Sequence, residues 1–152
     1  MIPKFRAWDK ENDRMIYPST TGVCFELSDE GIMVLDVGVE YPEDHAFPLL
    51  DSVLMQSTGL KDKNSVEIFE GDVLLHTSSS VNYSDTYWHS YVQAYRMDNG
   101  AYRIKGKHIY DTDLMSARSR IEVVGNIYQH QKLLEKEYFS TSDGVVVHAN
   151  EN

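Results

Sequence analysis

Apolar and polar side chains alternate over most of the chain in short runs that end at turn-forming residues. This pattern is typical of β-strands and not of helices. It is clearest in the central segment 54–75, where strand residues from Leu54 are followed by a polar turn at 61–65, a second run around Ile68 and a break at Gly71. The segment predicts three consecutive strands, with more sheet built onto them on both sides.

Hairpin signals lie on both sides of this segment. Trp8 is predicted to pack against a second strand that begins at Met15, across a polar turn. Further along, the runs 23–27 and 32–37 predict another hairpin, because the residues between them favour a turn. Asn99-Gly100 between alternating residues is the strongest short-range hairpin signal in the chain.

Other parts of the chain are less regular. Segment 76–90 has no clear period and predicts a long loop or a loosely ordered hairpin. Its aromatic residues are expected to pack against the sheet; stacking on nucleic-acid bases is the alternative. The strand 121–128 is expected to bulge at Gly125, a helix is predicted over 129–138, and 139–152 predicts an edge strand or a loose tail.

The length of 152 residues and the apolar content indicate one folded domain. No apolar run approaches the roughly 20 residues that a membrane span needs, and no signal-peptide pattern opens the sequence. A cytoplasmic location in the host cell is therefore expected. Cys24 is the single cysteine, which excludes an internal disulfide, and we expect it to be a small buried apolar residue.

Charge is distributed unevenly around a net value of −10. Lys and Arg are absent from Met15 to Leu60, whereas acidic residues are frequent there. The ordinary interpretation is solubility; the sharper hypothesis is a docking face for a basic partner, or complementary faces that pair between copies. The candidate partner-binding residues are Asp29, Glu30, Asp36, Glu40, Glu43 and Asp44.

The sequence shows no recognisable motif of a catalytic, metal-binding or phosphate-binding site. The histidines are scattered without metal-ligand spacing, and neither a nucleophile elbow nor a glycine-rich phosphate loop occurs. We therefore predict no catalytic residue, no metal and no cofactor, and a protein that is not an enzyme. A hydrolase built on Glu67, Glu70 and Asp72 is an alternative, since paired carboxylates can serve as acid and base.

Three segments together resemble the YopX family of small phage and prophage proteins. The first combines Phe5-Arg-Ala-Trp-Asp-Lys with Met15-Ile-Tyr, the second combines residues 54–64 with 67–73, and the third is 121–128. The resemblance implies a mostly β protein with an SH3-like small barrel, encoded by a phage or prophage, and supplies no functional residues. At Ser65 this chain departs from the family, which usually has glycine there.

The predicted fold is mainly β: an SH3-like small barrel, extended by N-terminal β-hairpins, with one short C-terminal helix. We expect a single YopX-like domain over 1–138, with the hairpins in 1–52 and the barrel and helix in 53–138. Residues 139–152 follow as a tail or edge strand.

The predicted function is a non-enzymatic protein-interaction or regulatory module that binds an unknown host or phage protein, with a homo-oligomer as a further expectation. A membrane partner is not expected. The alternative is a nucleic-acid-associated barrel, which rests on fold analogy and is disfavoured by the net negative charge. Its candidate contacts are Arg96, Arg103, Lys105 and Lys107.

Overall fold

The computed structural model describes residues 4–38, 47–80, 85–142 and 145–149. Of residues 147–149 only the backbone is described. The protein is mainly β, which confirms the predicted fold class, and its sheets are curled as in a barrel. The SH3-like assignment stays a prediction. The chain divides into two compact units, Met1–Ser57 and Thr58–Asn152.

The first unit is built from two hairpins and the beginning of a long strand. Strand β1 lies between β2 and β5 in one sheet, and β3 pairs with β4 in a separate two-stranded sheet. The strands are β1 (Phe5–Asp9), β2 (Arg14–Ile16), β3 (Val23–Ser28), β4 (Gly31–Asp36) and β5 (Ser52–Lys61). The core of this unit consists of Ala7, Ile16, Val23, Val34 and Leu50.

The first hairpin is closed by a buried carboxylate. Asp9 accepts the backbone N–H groups of Glu11 and Asn12 at 3.1 and 3.3 Å, and Arg14 Nε lies 3.0 Å from it. Burial by itself raises the pKa of Asp9, but the hydrogen bonds from Asn12, Arg14 and Glu11 outweigh it and hold the pKa below its ordinary value. Trp8 is buried on β1.

The second unit contains the remaining strands and the helical turns. The strands are β6 (Glu67–Phe69), β7 (Asp72–Ser79), β8 (Thr86–Arg96), β9 (Tyr102–Gly106), β10 (Ile109–Asp113), β11 (Ile121–Asn126), β12 (Phe139–Ser142) and β13 (Val145–Ala149). The helices are α1 (Leu114–Ala117) and the 3-10 helices Arg118–Arg120 and Gln131–Glu135. The core consists of Ile68, Leu74, Val92, Ala94, Ile104, Leu114, Ala117 and Ile121.

Strand β8 organises this unit. One of its edges pairs with β7, which in turn pairs with β11. Its other edge is shared by two strands: β9 pairs with the end that contains Gln93 to Arg96, and β12 pairs with the end that contains Thr86 to His89. The predicted Asn99-Gly100 hairpin and the bulge at Gly125 are both present.

The central segment folds as three strands, β5, β6 and β7, as predicted. Ile68 and Val73 are fully buried, but Leu54 is 37% exposed, so it does not contribute to either core. The turn after β5 places Ser65 at a φ of 65°, in the left-handed region that favours glycine. The serine that departs from the family pattern therefore occupies a glycine conformation.

Of the two alternatives for segment 76–90, the hairpin is confirmed, since β7 extends to Ser79 and pairs with β8, which begins at Thr86. The predicted short C-terminal helix is present, but it is a 3-10 helix over Gln131–Glu135 and does not extend over 129–138; in it the Leu133 N–H donates to the His130 carbonyl oxygen at 3.0 Å. The expectation of a buried Cys24 was wrong, because Cys24 is exposed.

Candidate functional site

The β3–β4 hairpin carries an unusually exposed apolar side chain. Val23, Phe25 and Leu27 share one face of β3, because side chains alternate along a strand. Val23 lies in the core of the first unit, and Phe25 packs against that core. Leu27 lies beyond the core and is 80% exposed, opposite Ile32 on β4. The hairpin thus has its base in the core, and near its turn the apolar side chain of Leu27 faces solvent.

The turn of this hairpin is acidic and internally fastened. Asp29 and Glu30 are exposed between the paired residues Ser28 and Gly31. Ser28 Oγ donates to the Gly31 carbonyl oxygen at 2.9 Å and accepts the Glu30 N–H at 3.2 Å. Gly31 has a φ of +112°, which a side chain would oppose. The backbone of the turn that carries these two carboxylates, close to Leu27 in the chain, is therefore well defined.

The predicted acidic residues are distributed as follows. Asp29 and Glu30 lie together at the tip, whereas Asp36 ends β4, where its carboxylate accepts the Gly38 N–H at 2.9 Å. The other three candidates, Glu40, Glu43 and Asp44, lie outside the described residues. Sequence reasoning missed Leu27, although its place in the alternation with Val23 and Phe25 was a usable signal.

Each of the four basic candidates for nucleic-acid contact has an intramolecular partner. Arg96 Nε lies 3.5 Å from Glu70, and Arg103 donates to the Asp111 carbonyl oxygen at 2.8 Å. Lys105 Nζ lies 4.6 Å from the centre of the Tyr95 ring, and Lys107 Nζ lies 2.9 Å from Glu137.

These basic residues also lie on different faces. Arg103 lies opposite Tyr95, and Lys105 is two residues further along the same face of β9. Arg96 lies opposite Tyr102, on the other face. The hydrogen bond from Tyr95 to Asp111 raises the pKa of that tyrosine. The nucleic-acid contact stays a prediction, and the described contacts lend it no support.

The carboxylates of the hydrolase alternative make structural contacts. The Asp72 side chain is buried and accepts the Phe69 N–H at 2.8 Å. Glu70 accepts the Tyr102 hydroxyl at 3.4 Å, and burial followed by the charge of Glu70 raises the pKa of Tyr102. Glu67 is half-buried on β6.

A cleft of about 380 Å³ lies in the second unit. Trp88, His108, Ile109 and Tyr138 form its aromatic and apolar side, and His76, Ser78 and Ser90 supply polar groups. Sequence reasoning placed Trp88 in a loop packed on the sheet. The structure instead places it on β8, with its ring 5.4 Å from that of Tyr138.

Two histidines near this cleft are held toward their neutral forms. Burial, followed by the charge of Arg120, lowers the pKa of His76. Burial, followed by the charge of Lys63, lowers the pKa of His89. The two ring nitrogens of His89 lie 2.9 Å from Thr77 Oγ1 and 2.7 Å from Thr141 Oγ1.

The described residues contain no cluster of three or more His, Cys, Asp or Glu side chains arranged to hold a metal ion. Within the same part of the chain, every helix falls short of the length and apolar character that a membrane span requires. Strand β13 pairs with β12 and ends its sheet, and Val145 and Val146 are exposed on it. The predicted homo-oligomer, formed by pairing of open strand edges, stays a prediction.

The sequence profile of the family described as YopX protein matches residues 4–135. This chain belongs to the YopX family. It is also similar in structure to protein EF1440 from Enterococcus faecalis, with 28% sequence identity and a TM-score of 0.57 over 88% of this chain and 99% of that one. A comparison with curated proteins finds no match.

The YopX-like segments that sequence analysis singled out contain the residues that fasten turns in the structure. Asp9 closes the first hairpin, and Asp62 accepts the N–H groups of Asn64 and Val66 at 2.8 and 2.9 Å. Asn126 Oδ1 accepts the N–H groups of Tyr128 and Gln129, each at 3.0 Å. In this YopX-family chain, these polar residues stabilise the fold.

Proposed function

We propose that the chain is a phage- or prophage-encoded, non-enzymatic protein-interaction module of the host cytoplasm, and that it docks through the β3–β4 hairpin. The observation that carries this proposal is the 80% exposure of Leu27 at the tip of a hairpin whose base lies in the core. Exposed apolar patches rimmed by polar residues mark protein-interaction sites, and Leu27 with its cross-strand neighbour Ile32 forms the apolar part of this tip. The phage setting rests on membership of the YopX family.

The chemistry of the tip favours a partner with an apolar pocket bordered by Lys and Arg. Burying a leucine side chain in such a pocket stabilises a complex by about 1.5 to 3 kcal/mol. Glu26, Asp29 and Glu30 are exposed around Leu27, and the sequence from Met15 to Leu60 has no Lys or Arg. This local negative charge attracts a basic partner and increases the rate of encounter.

The hairpin is also ordered before it binds. Six residue pairs connect β3 to β4, and Ser28 fastens the turn. A preformed element loses less conformational entropy on binding than a flexible loop does. The partner is therefore expected to meet Leu27 and the two turn carboxylates in one fixed arrangement.

Affinity capture from host cells at several times after phage infection tests the proposal. The unaltered chain is compared with Leu27→Ala and with the charge-reversed Asp29→Lys/Glu30→Lys variant. Tyr110→Ala is the matched control, since Tyr110 is a 96% exposed apolar residue on β10. We expect a partner that both hairpin variants lose and the control retains, and a complex that weakens as salt is raised.

Recovery of the bait alone at every time would contradict a partner-binding role. Recovery of the same proteins by the unaltered chain and both hairpin variants would contradict the assignment to the hairpin. Circular dichroism of each variant establishes that a lost interaction does not reflect unfolding.

A further inference from the structure

The cleft continues the core face of the β7–β8 ladder. Leu74 and Val92 are paired, fully buried residues of the core. Because alternate residues share a face, the next pair on this face is His76 with Ser90, and the pair after it is Ser78 with Trp88. The inner face therefore changes from apolar to polar and aromatic at the place where the cleft opens.

The aromatic side of the cleft is held in place. The rings of Trp88 and Tyr138 meet at 60°, and the His108 ring meets Tyr138 edge-on with centroids 5.1 Å apart. His108 Nε2 lies 2.8 Å from Glu137, which also contacts Lys107. These contacts fix a corner of aromatic rings before any ligand arrives.

The polar side of the cleft selects the kind of ligand. None of the described residues that line it carries a carboxylate, although the chain has a net charge of −10. Arg120 is not among the residues that line the cleft, but Ile121, next to it, pairs with His76 across β11 and β7. Burial, followed by the charge of Arg120, lowers the pKa of His76, so this positive charge acts at the His76 end of the cleft. An anionic group is therefore favoured at this end and a cation is disfavoured.

The volume of the cleft and its hydrogen-bonding groups further limit the kinds of ligand that could bind. A cleft of about 380 Å³ is near the lower limit of ligand pockets, about 300 to 1,000 Å³. A ligand that displaces water from Ser78, Ser90 and His76 must replace the hydrogen bonds of that water. A planar ring with polar edges meets this requirement, and a hydrocarbon ring does not.

We infer that the cleft binds a nucleoside monophosphate, with the base against Trp88 and Tyr138 and the phosphate toward His76 and Arg120. Base stacking on an aromatic side chain contributes about 1 to 3 kcal/mol. The same chemical group occurs at the end of a nucleic-acid strand, but the net charge of −10 disfavours a polyanion. The inference is independent of the hairpin, which belongs to the other unit.

Tryptophan fluorescence of the full chain tests this inference. A Trp8→Phe background leaves Trp88 as the single tryptophan, and it is titrated with purine and pyrimidine nucleoside monophosphates, adenosine, inorganic phosphate and a short single-stranded oligonucleotide. We expect saturable quenching by at least one monophosphate below about 1 mM. Tyr138→Ala should weaken that binding about tenfold or more.

Arg120 has a matched control on the same 3-10 helix. Arg120→Gln should weaken binding of the monophosphate about fivefold and leave adenosine unchanged, because it removes one charge-assisted contact. Arg118→Gln should leave both unchanged. The inference would be overturned if Arg120→Gln and Arg118→Gln weakened monophosphate binding equally. It would also be overturned if only the oligonucleotide bound, or if no monophosphate gave a saturable change in fluorescence.

A second measurement does not depend on any variant's folding. In the unaltered chain, the imidazole C–H signals of His76 and His108 should shift by NMR as the monophosphate saturates. If neither signal shifts while ligand is added to about 1 mM, the inference is wrong.

Discussion

The carboxylate of Asp62 accepts the backbone N–H of Val123 at 2.8 Å, although the two residues are 61 positions apart. The other oxygen of the same carboxylate accepts the N–H groups of Asn64 and Val66. One side chain therefore closes the turn between β5 and β6 and fastens that turn to β11. Hydrogen bonds from backbone N–H groups to an ionised carboxylate are among the stronger ones in proteins.

Replacing Asp62 by alanine is expected to lower the free energy of unfolding by about 2 to 4 kcal/mol, because buried N–H groups lose their acceptor. Equilibrium unfolding in urea measures the change. Asp113→Ala is the comparison, since Asp113 caps α1 at an exposed position and its loss should cost about 1 kcal/mol. Equal losses in the two variants would contradict the role of Asp62.

Ser65→Gly is expected to stabilise the protein by about 1 kcal/mol. Serine at a φ of 65° is strained by its Cβ atom, and glycine is not. Ser119→Gly, in the 3-10 helix Arg118–Arg120, is the control and should give no gain, because glycine there only adds freedom to the unfolded chain. Thermal unfolding of both variants checks the prediction; a lower midpoint for Ser65→Gly would contradict it.

Gly125→Ala is expected to destabilise the protein by about 1 to 3 kcal/mol through overpacking. A Cβ atom at this position would clash with the His130 ring, whose Nδ1 accepts the Asn126 N–H. The double variant Gly125→Ala/His130→Ala removes the clash, so it should recover part of the loss. A double variant that is as unstable as the sum of the single variants would show that the contact is not the cause.

Stability is expected to fall as the pH drops below about 6.5, the ordinary pKa of histidine. His89 and His76 have lowered pKa values in the folded protein, so the unfolded chain takes up protons first. Urea unfolding between pH 7.5 and 5.5 measures the slope. His89→Gln and His76→Gln should each reduce that slope, and an unchanged slope in both would contradict the prediction.

The strands and turns were predictable wherever local chemistry and tertiary packing agree. Asn99-Gly100 forms its hairpin, and Gly125 forms its bulge. The sequence left a loop and a hairpin open for 76–90 for a physical reason. The inner face of β7 and β8 is polar at His76 and Ser78 because it lines the cleft, and this polarity interrupts the alternation that identifies a strand.

The candidate site was predictable only in part. The acidic turn at Asp29 and Glu30 follows directly from the sequence, whereas the exposure of Leu27 depends on where the core ends. The cleft was beyond sequence reasoning, because it joins Trp88 to His108 and Tyr138 through the shared edge of β8. Contacts of this kind depend on the order of strands in the sheet and not on spacing along the chain.

Photo-cross-linking in infected host cells tests the docking hairpin most directly. A photoreactive phenylalanine analogue is placed at Leu27 in one variant and at the 96% exposed Tyr110 in another. We expect a discrete covalent adduct with another protein from Leu27 and none of that size from Tyr110. The same adduct from both positions, or only uncross-linked chain from Leu27 at every time after infection, would contradict it.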